Sequence, residues 1–259
     1  MTQDPVRREF ALEGAIIQGG AVVGTAPDSA IRLELDGQAI DLARDGRFLI
    51  AFDRDAAPTA RLVAYLENGE AIEKLLTIAP RDWPIERVNA PLRAGVPSAT
   101  FLRMRAVELE QINAARQVHT DSQGWRQRFI WPHKGRISGR FGSQRIYQGK
   151  PASYHSGVDV AGATGDIIVA PADGVVILAS DQPFTLEGNL LMLDHGMGLN
   201  SAFLHLSRID VKAGDHVRKG QPIAALGATG RATGPHMHWG LKWNDARIDP
   251  MLLAGPITE

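Results

Sequence analysis

The runs Ile167-Ile-Val-Ala170, Gly174-Val-Val-Ile-Leu178, Asn189-Leu-Leu-Met-Leu193 and Gln221-Pro-Ile-Ala-Ala-Leu226 decide the fold class. Each is short, rich in Val, Ile and Leu, and set off by glycine-bearing turn sequences. Runs of this kind read as strands rather than helices. The texture starts at Phe129, so residues 129–259 are expected to form a β-rich domain.

Upstream the signal is alternation. Ile31, Leu33 and Leu35 alternate with polar residues ahead of Asp36-Gly37; Phe48, Ile50 and Phe52 follow Asp45-Gly46; Leu62, Ala64 and Leu66 run up to Asn68-Gly69. Asp-Gly and Asn-Gly between alternating runs are hairpin signals, and their close spacing predicts a small antiparallel β-sandwich over residues 1–80. Nothing in it reads as catalytic. Prolines 80, 84, 91 and 97 mark the following stretch, 81–128, as a linker that carries a helix over 98–118. Leu102, Ala106, Leu109 and Ile112 fall near one face of that helix, with Arg103, Glu108 and Glu110 elsewhere. The fold class is therefore mainly β.

The 259 residues are 44% hydrophobic and 22% charged, which suits a globular chain with a substantial core. The formal net charge of −1 argues against a dedicated nucleic-acid binder. It hides an asymmetry: residues 1–125 carry 14 Lys/Arg against 18 Asp/Glu, the remainder 14 against 11. With no cysteine, disulfides, thiolate metal sites and cysteine nucleophiles are excluded. No apolar run reaches the roughly 18 residues of a membrane span. The opening Met1-Thr-Gln-Asp-Pro5 lacks the apolar core of a signal peptide. That fits a cytoplasmic chain or one whose leader has been removed.

Six of the eight histidines lie between 155 and 238. Three segments matter: His155-Ser-Gly-Val-Asp159, Phe203-Leu-His205-Leu-Ser207 and Pro235-His236-Met-His238. In a strand, His236 and His238 share a face, about 6.6 Å apart. A straight strand would hold His155 and Asp159 about 13 Å apart, too far for one metal, whereas a bend at Gly157 would bring them together. Two imidazoles and one carboxylate make an open three-ligand set for Zn²⁺, the arrangement of catalytic rather than structural sites. There is no His-Glu-x-x-His, so the general base must come from elsewhere, and spare histidines are available.

These segments resemble the lysostaphin/LytM-type zinc metallopeptidases that cut peptidoglycan peptides. The supporting frame is similar too: Ile137-Ser-Gly-Arg-Phe-Gly142, Ala170-Pro-Ala-Asp-Gly-Val175, Gly188-Asn189, Asp194-His-Gly196 and Gly214-Asp-His-Val-Arg-Lys-Gly220. The resemblance spans roughly 130–250 and implies a β-rich peptidase domain with a groove across a sheet. It implies His155, Asp159 and His238 as ligands of one Zn²⁺, with His205 and His236 as catalytic histidines. The N-terminal half is similar to the extension of periplasmic members from Gram-negative bacteria. This implies D,D-endopeptidase action on diaminopimelate-type cross-links, in the periplasm or cell envelope, by a monomer open to a regulatory protein partner.

Arg136, Arg140, Arg145 and Lys150 precede His155 and read as ordinary solvated surface or as a basic rim for substrate carboxylates. Tyr147 and Tyr154 would line the groove or pack. Arg140, Tyr154 and Asn189 are taken as candidate substrate-binding residues. His119, His133, His195 and His216 read as structural or surface residues. The segment Gly214–Ile223 also resembles biotinyl/lipoyl carriers, but no lysine lies between Val175 and Val211 to be modified. A further alternative is a cell-wall-binding module or amidase activator, its groove blocked by the helix or linker.

Overall fold

The computed structural model describes residues 7–90 and 98–257. The chain divides into two compact units, 1–81 and 82–259.

In the first unit, β1 (Ala11–Gly14), β2 (Ala21–Thr25) and β5 (Arg47–Ala51) form one sheet. β3 (Ala30–Leu35), β4 (Gln38–Ile40), β6 (Thr59–Leu66) and β7 (Ala71–Thr77) form another, in the order β4-β3-β6-β7. Asp36 and Gly37 both take positive φ, 50° and 79°, and close the β3–β4 hairpin with Leu35 opposite Gln38. That is the geometry for which Asp-Gly is selected. Asn68-Gly69 closes β6–β7. Asp45-Gly46 instead precedes a strand that joins the other sheet. The alternation expected in β3 also fails at one end: Ile31 is 63% exposed, because the register with β6 shifts between Ala30 and Arg32.

The second unit begins earlier than a plain linker would allow. Strand β8 (Ile85–Val88) pairs in parallel with β10 (Gln144–Tyr147), which also pairs with β11 (Lys150–Pro151). Prolines 91 and 97 lie outside the described residues. Helix α1 (Ala99–Arg116) follows, its first turn capped by Ser98 Oγ, which accepts from the Phe101 N–H at 3.1 Å.

The helix buries a different stripe from the one its apolar residues suggest. Glu108, Ile112 and Ala115 are buried, whereas Leu102 and Leu109 are 54% and 41% exposed. Polar contacts set this rotation. Arg105 donates to both oxygens of Glu187 at 2.6 and 2.7 Å. Glu108 accepts from the Thr185 N–H and hydroxyl at 2.6 and 2.7 Å. Ile112 and Ala115 then pack with Ile177, Phe184, Leu190 and Met192.

The main sheet has eight strands. Its order is β18 (His216–Val217), β14 (Gly174–Ala179), β15 (Asn189–Asp194), β16 (Leu199–Leu206), β20 (His236–Trp243), β12 (Val158–Ala161) and β9 (Ile137–Gly139), with β21 (Ala246–Ile248) also on β20. A smaller sheet holds β13 (Ile167–Val169), β19 (Pro222–Ala225) and β17 (Arg208–Ile209), and a short helix, α2 (Pro250–Ala254), follows β21. In β20 the period of two is complete. Met237, Trp239, Leu241 and Trp243 are buried, which turns His236, His238, Gly240 and Lys242 to the opposite face. Asn200, Ala202 and Leu204 of β16 lie opposite Lys242, Gly240 and His238.

Behind that face runs a satisfied polar relay. The fully buried His195 sets Nδ1 2.7 Å from the Asp173 carbonyl and Nε2 2.7 Å from Ser201 Oγ. Ser201 Oγ also accepts from Trp239 Nε1 at 3.2 Å. The consistent protonation puts hydrogen on Nδ1, with the Ser201 hydroxyl donating to Nε2. Burial lowers the His195 pKa from 6.5 to about 4. The neutral ring thus stabilises the fold fully above pH 6.5, and this stability is lost as pH falls through 4. Urea unfolding of the protein should show a loss of about 3 kcal/mol from this group across that window. His195→Gln should flatten that part of the pH profile.

Candidate functional site

The register of the central strands assembles the site. Asp159 of β12 lies opposite His238 of β20, and Ala161 opposite His236. His155 precedes β12, and the chain bends so that its Nε2 stands 3.0 Å from Asp159 Oδ1. His238 Nδ1 lies 2.8 Å from the same oxygen and 3.1 Å from His155 Nε2. These three residues form a group able to hold a metal ion. His236 Nε2 stands further off, 3.9 Å from Asp159 Oδ1.

The donor set fits a divalent cation. The Arg140 carbonyl lies 3.1 Å from His155 Nδ1, which places that ring's proton there and leaves Nε2 with a lone pair. A carboxylate oxygen and two imidazole nitrogens then meet at one point, and a cation there satisfies all three. Nitrogen and oxygen ligands without sulfur suit zinc. Burial pushes the Asp159 carboxyl up, but His155 and His238 outweigh it and hold it well below the usual carboxylate range. Burial lowers the His238 pKa and keeps the ring neutral, the state that can ligate.

Two glycines press against this cluster. A Cβ on Gly139, the β9 partner of Asp159, would lie 2.3 Å from Asp159 Oδ2. One on Gly157 would lie 2.5 Å from the Trp239 carbonyl oxygen and 2.7 Å from His238 Nε2. Gly157 therefore matters as a point of close approach as well as a bend. Gly139→Ala should keep the fold and weaken metal binding by roughly ten- to a hundred-fold, the scale of support-residue losses. Competition against a chromogenic chelator, with a melting curve as control, reads both.

His205 reaches the same face by a local exception. It follows Leu204, the partner of His238, so alternation alone would turn it away. Its φ of 65° redirects it, and its ring stands 4.8 Å from that of His236. Nδ1 lies 2.8 Å from the Thr229 carbonyl in His205, and 2.8 Å from the Gly234 carbonyl in His236. Both Nδ1 atoms thus carry the proton, leaving each Nε2 as an acceptor. Burial lowers the His205 pKa, so that ring is neutral at pH 7.

The other expected residues separate. Tyr154 lines a broad groove of about 900 Å³ together with His155, Asp159, Arg145 and Arg231, and accepts from Arg247 Nη1 at 3.2 Å. Arg140 contributes its carbonyl to His155, while its guanidinium reaches Met251 Sδ at 3.8 Å. Asn189 donates its side-chain amide to the Leu206 carbonyl and its backbone N–H to Thr229 Oγ1, both at 2.9 Å. Arg145, in the basic run, donates to Glu86 at 2.6 Å.

A second, narrower pocket of about 140 Å³ is lined in part by His238. Its walls include Ile112 and Arg116 of α1, so the helix flanks the site without sealing it. His155, Asp159 and His236 keep 25%, 21% and 17% of their side-chain surface. Sequence reading missed Arg116, Thr229 and Gly234, because their roles depend on long-range placement or on a backbone carbonyl.

The Peptidase family M23 model matches residues 153–250. The peptidoglycan DD-endopeptidase ShyA of Vibrio cholerae is 39% identical over 116 residues, 44% of this chain and 26% of that protein. The DD-carboxypeptidase/endopeptidase Mpg of Neisseria meningitidis serogroup B is 35% identical over 105 residues, 40% of this chain and 24% of that protein. The chain thus spans about a quarter of the length of these curated relatives. A crystal structure of a Pseudomonas aeruginosa protein assigned to the M23 peptidases superposes with a TM-score of 0.71 and 28% identity, covering 94% of this chain and 96% of that one. The chain therefore carries, over residues 153–250, a peptidase family M23 domain of the LytM/lysostaphin type.

Proposed function

We propose that the protein is a zinc-dependent endopeptidase that hydrolyses peptide cross-links of bacterial peptidoglycan in the periplasm or cell envelope. The substrate we assign is the D,D cross-link of diaminopimelate-type stems. The observation that carries this reading is the meeting of His155 Nε2, Asp159 Oδ1 and His238 Nδ1 within 2.8–3.1 Å of one another, beside two histidines oriented by backbone carbonyls. The naming of ShyA and Mpg as peptidoglycan or DD-endopeptidases supports the substrate class.

His155, Asp159 and His238 would hold one zinc ion. Bound there, zinc supplies Lewis-acid polarisation of the scissile carbonyl and of the attacking water. The protein's own groups handle the proton. Each Nε2 of His205 and His236 is an acceptor on the site's face; one takes the proton from water, and the protonated ring can then return it to the departing amine. The other, once protonated, can donate to the oxygen on which charge develops. Asn189 acts as a brace for the Leu206–Thr229 region that holds His205, and Tyr154 lines the groove on the His155 side.

The test is the muropeptide profile of purified diaminopimelate-type sacculi after digestion by the zinc-loaded full chain. Cross-linked dimers should disappear, uncross-linked peptides should appear, and a chelator should abolish both changes. An unchanged profile with zinc bound would overturn the reading.

A further inference from the structure

The pocket beside His238 has an unmet charge. Three cations line it, Arg116 at the end of α1, Lys242 of β20 and Arg247 of β21, against one carboxylate, Glu187. Both oxygens of Glu187 already accept from Arg105 at 2.6 and 2.7 Å. Lys242 is paired with Asp245 at 3.0 Å, and Arg247 donates to the Tyr154 hydroxyl. Among the described residues Arg116 has neither kind of partner. Its Nε is buried without a hydrogen bond, and the charge of Arg247 acts on it repulsively, offset in part by Glu187 and Asp245. A planar guanidinium with free donors, in a pocket also lined by Ser156, matches a carboxylate. A last-turn arginine also suits the helix dipole, but that role leaves the buried Nε unexplained.

We propose that Arg116, assisted by Arg247 and Lys242, forms a carboxylate-binding subsite next to His238, and that the enzyme thereby selects cross-linked peptides bearing a free carboxylate beside the scissile bond. The selection rests on the peptidase reading; the binding does not. The sequence directs attention to the basic run at 136–150, but Arg145 there is paired with Glu86. The guanidinium that remains available comes from a helix outside the matched family segment.

Two arms test this with the full-length chain. The first uses two synthetic cross-linked peptides, identical except that the residue beside the scissile amide ends in a carboxylate or a carboxamide. The acid should be preferred roughly ten- to hundred-fold in kcat/KM, the scale of a charge-assisted hydrogen bond. The preference should reside in KM. Arg116→Gln should bring the ratio close to one, and Arg116→Lys, which keeps the charge and the helix-end interaction, should restore it in part. The second arm titrates acetyl-alanyl-alanine and its carboxamide against nitrogen-labelled protein while following the Arg116 Nε–H resonance. The acid should shift it and the amide should not. Equal response to both probes, or an acid preference that survives Arg116→Gln, overturns the subsite. If neither cross-linked peptide is cleaved but the acid still shifts Arg116, the subsite stands and the peptidase reading fails.

Discussion

Asp159→Ala is expected to abolish zinc binding and cross-link cleavage together. The Asp159 Oδ1 atom is the common point of the cluster, 3.0 Å from His155 Nε2 and 2.8 Å from His238 Nδ1. Its removal takes away the only anionic ligand of the three and leaves two neutral rings facing each other. The residue lies on a strand held on both sides by β9 and β20, so the backbone should keep its register. Metal-free wild type and metal-free variant should therefore melt close together. Zinc should raise the melting temperature of the wild type alone, since a ligand stabilises only the state that binds it. Zinc-dependent stabilisation of the variant equal to that of wild type would remove Asp159 from the ligand set.

His236→Ala should separate binding from chemistry. His236 Nε2 is 3.9 Å from Asp159 Oδ1, outside the three close contacts, and its ring instead stands beside His205. Zinc affinity should stay within a few-fold of wild type while the cleavage rate falls by roughly 10²–10⁴, the range for a positioned acid or base. His205→Ala should fall in the same range. The double variant should lose much less than the product of the two, because the rings act on one reaction. A near-normal rate with zinc retained in either single variant would remove that histidine from the chemistry.

The placement of His236 and His238 on one face was legible because β20 obeys simple alternation: Met237 and Trp239 go to the core, and the two histidines must go to the other face. The hairpins at Asp36-Gly37 and Asn68-Gly69 were legible for a similar reason, since the turn chemistry is local. What stayed hidden is long-range or polar. Strand β8 leaves no local mark because its partner lies nearly sixty residues away. The rotation of α1 follows Arg105 and Glu108 rather than Leu102 and Leu109, and an apolar count cannot weigh a buried ion pair. His205 faces the site through a positive φ that no periodicity encodes. The hydrogen bond from the Asn189 amide to the Leu206 carbonyl also depends on placement that one dimension does not show.

The parts that shape the groove have a consequence for portability. Strand β8 and helix α1 flank the site, and Gly139 and Arg140 support its ligands, yet all four lie before residue 153. A chimaera joined at the edge of the matched segment would transplant His155, Asp159, His205, His236 and His238 without the elements that flank and abut them. The compact unit that holds the site together with these flanks starts near residue 82, so shuffling or grafting should cut there and not at the family boundary.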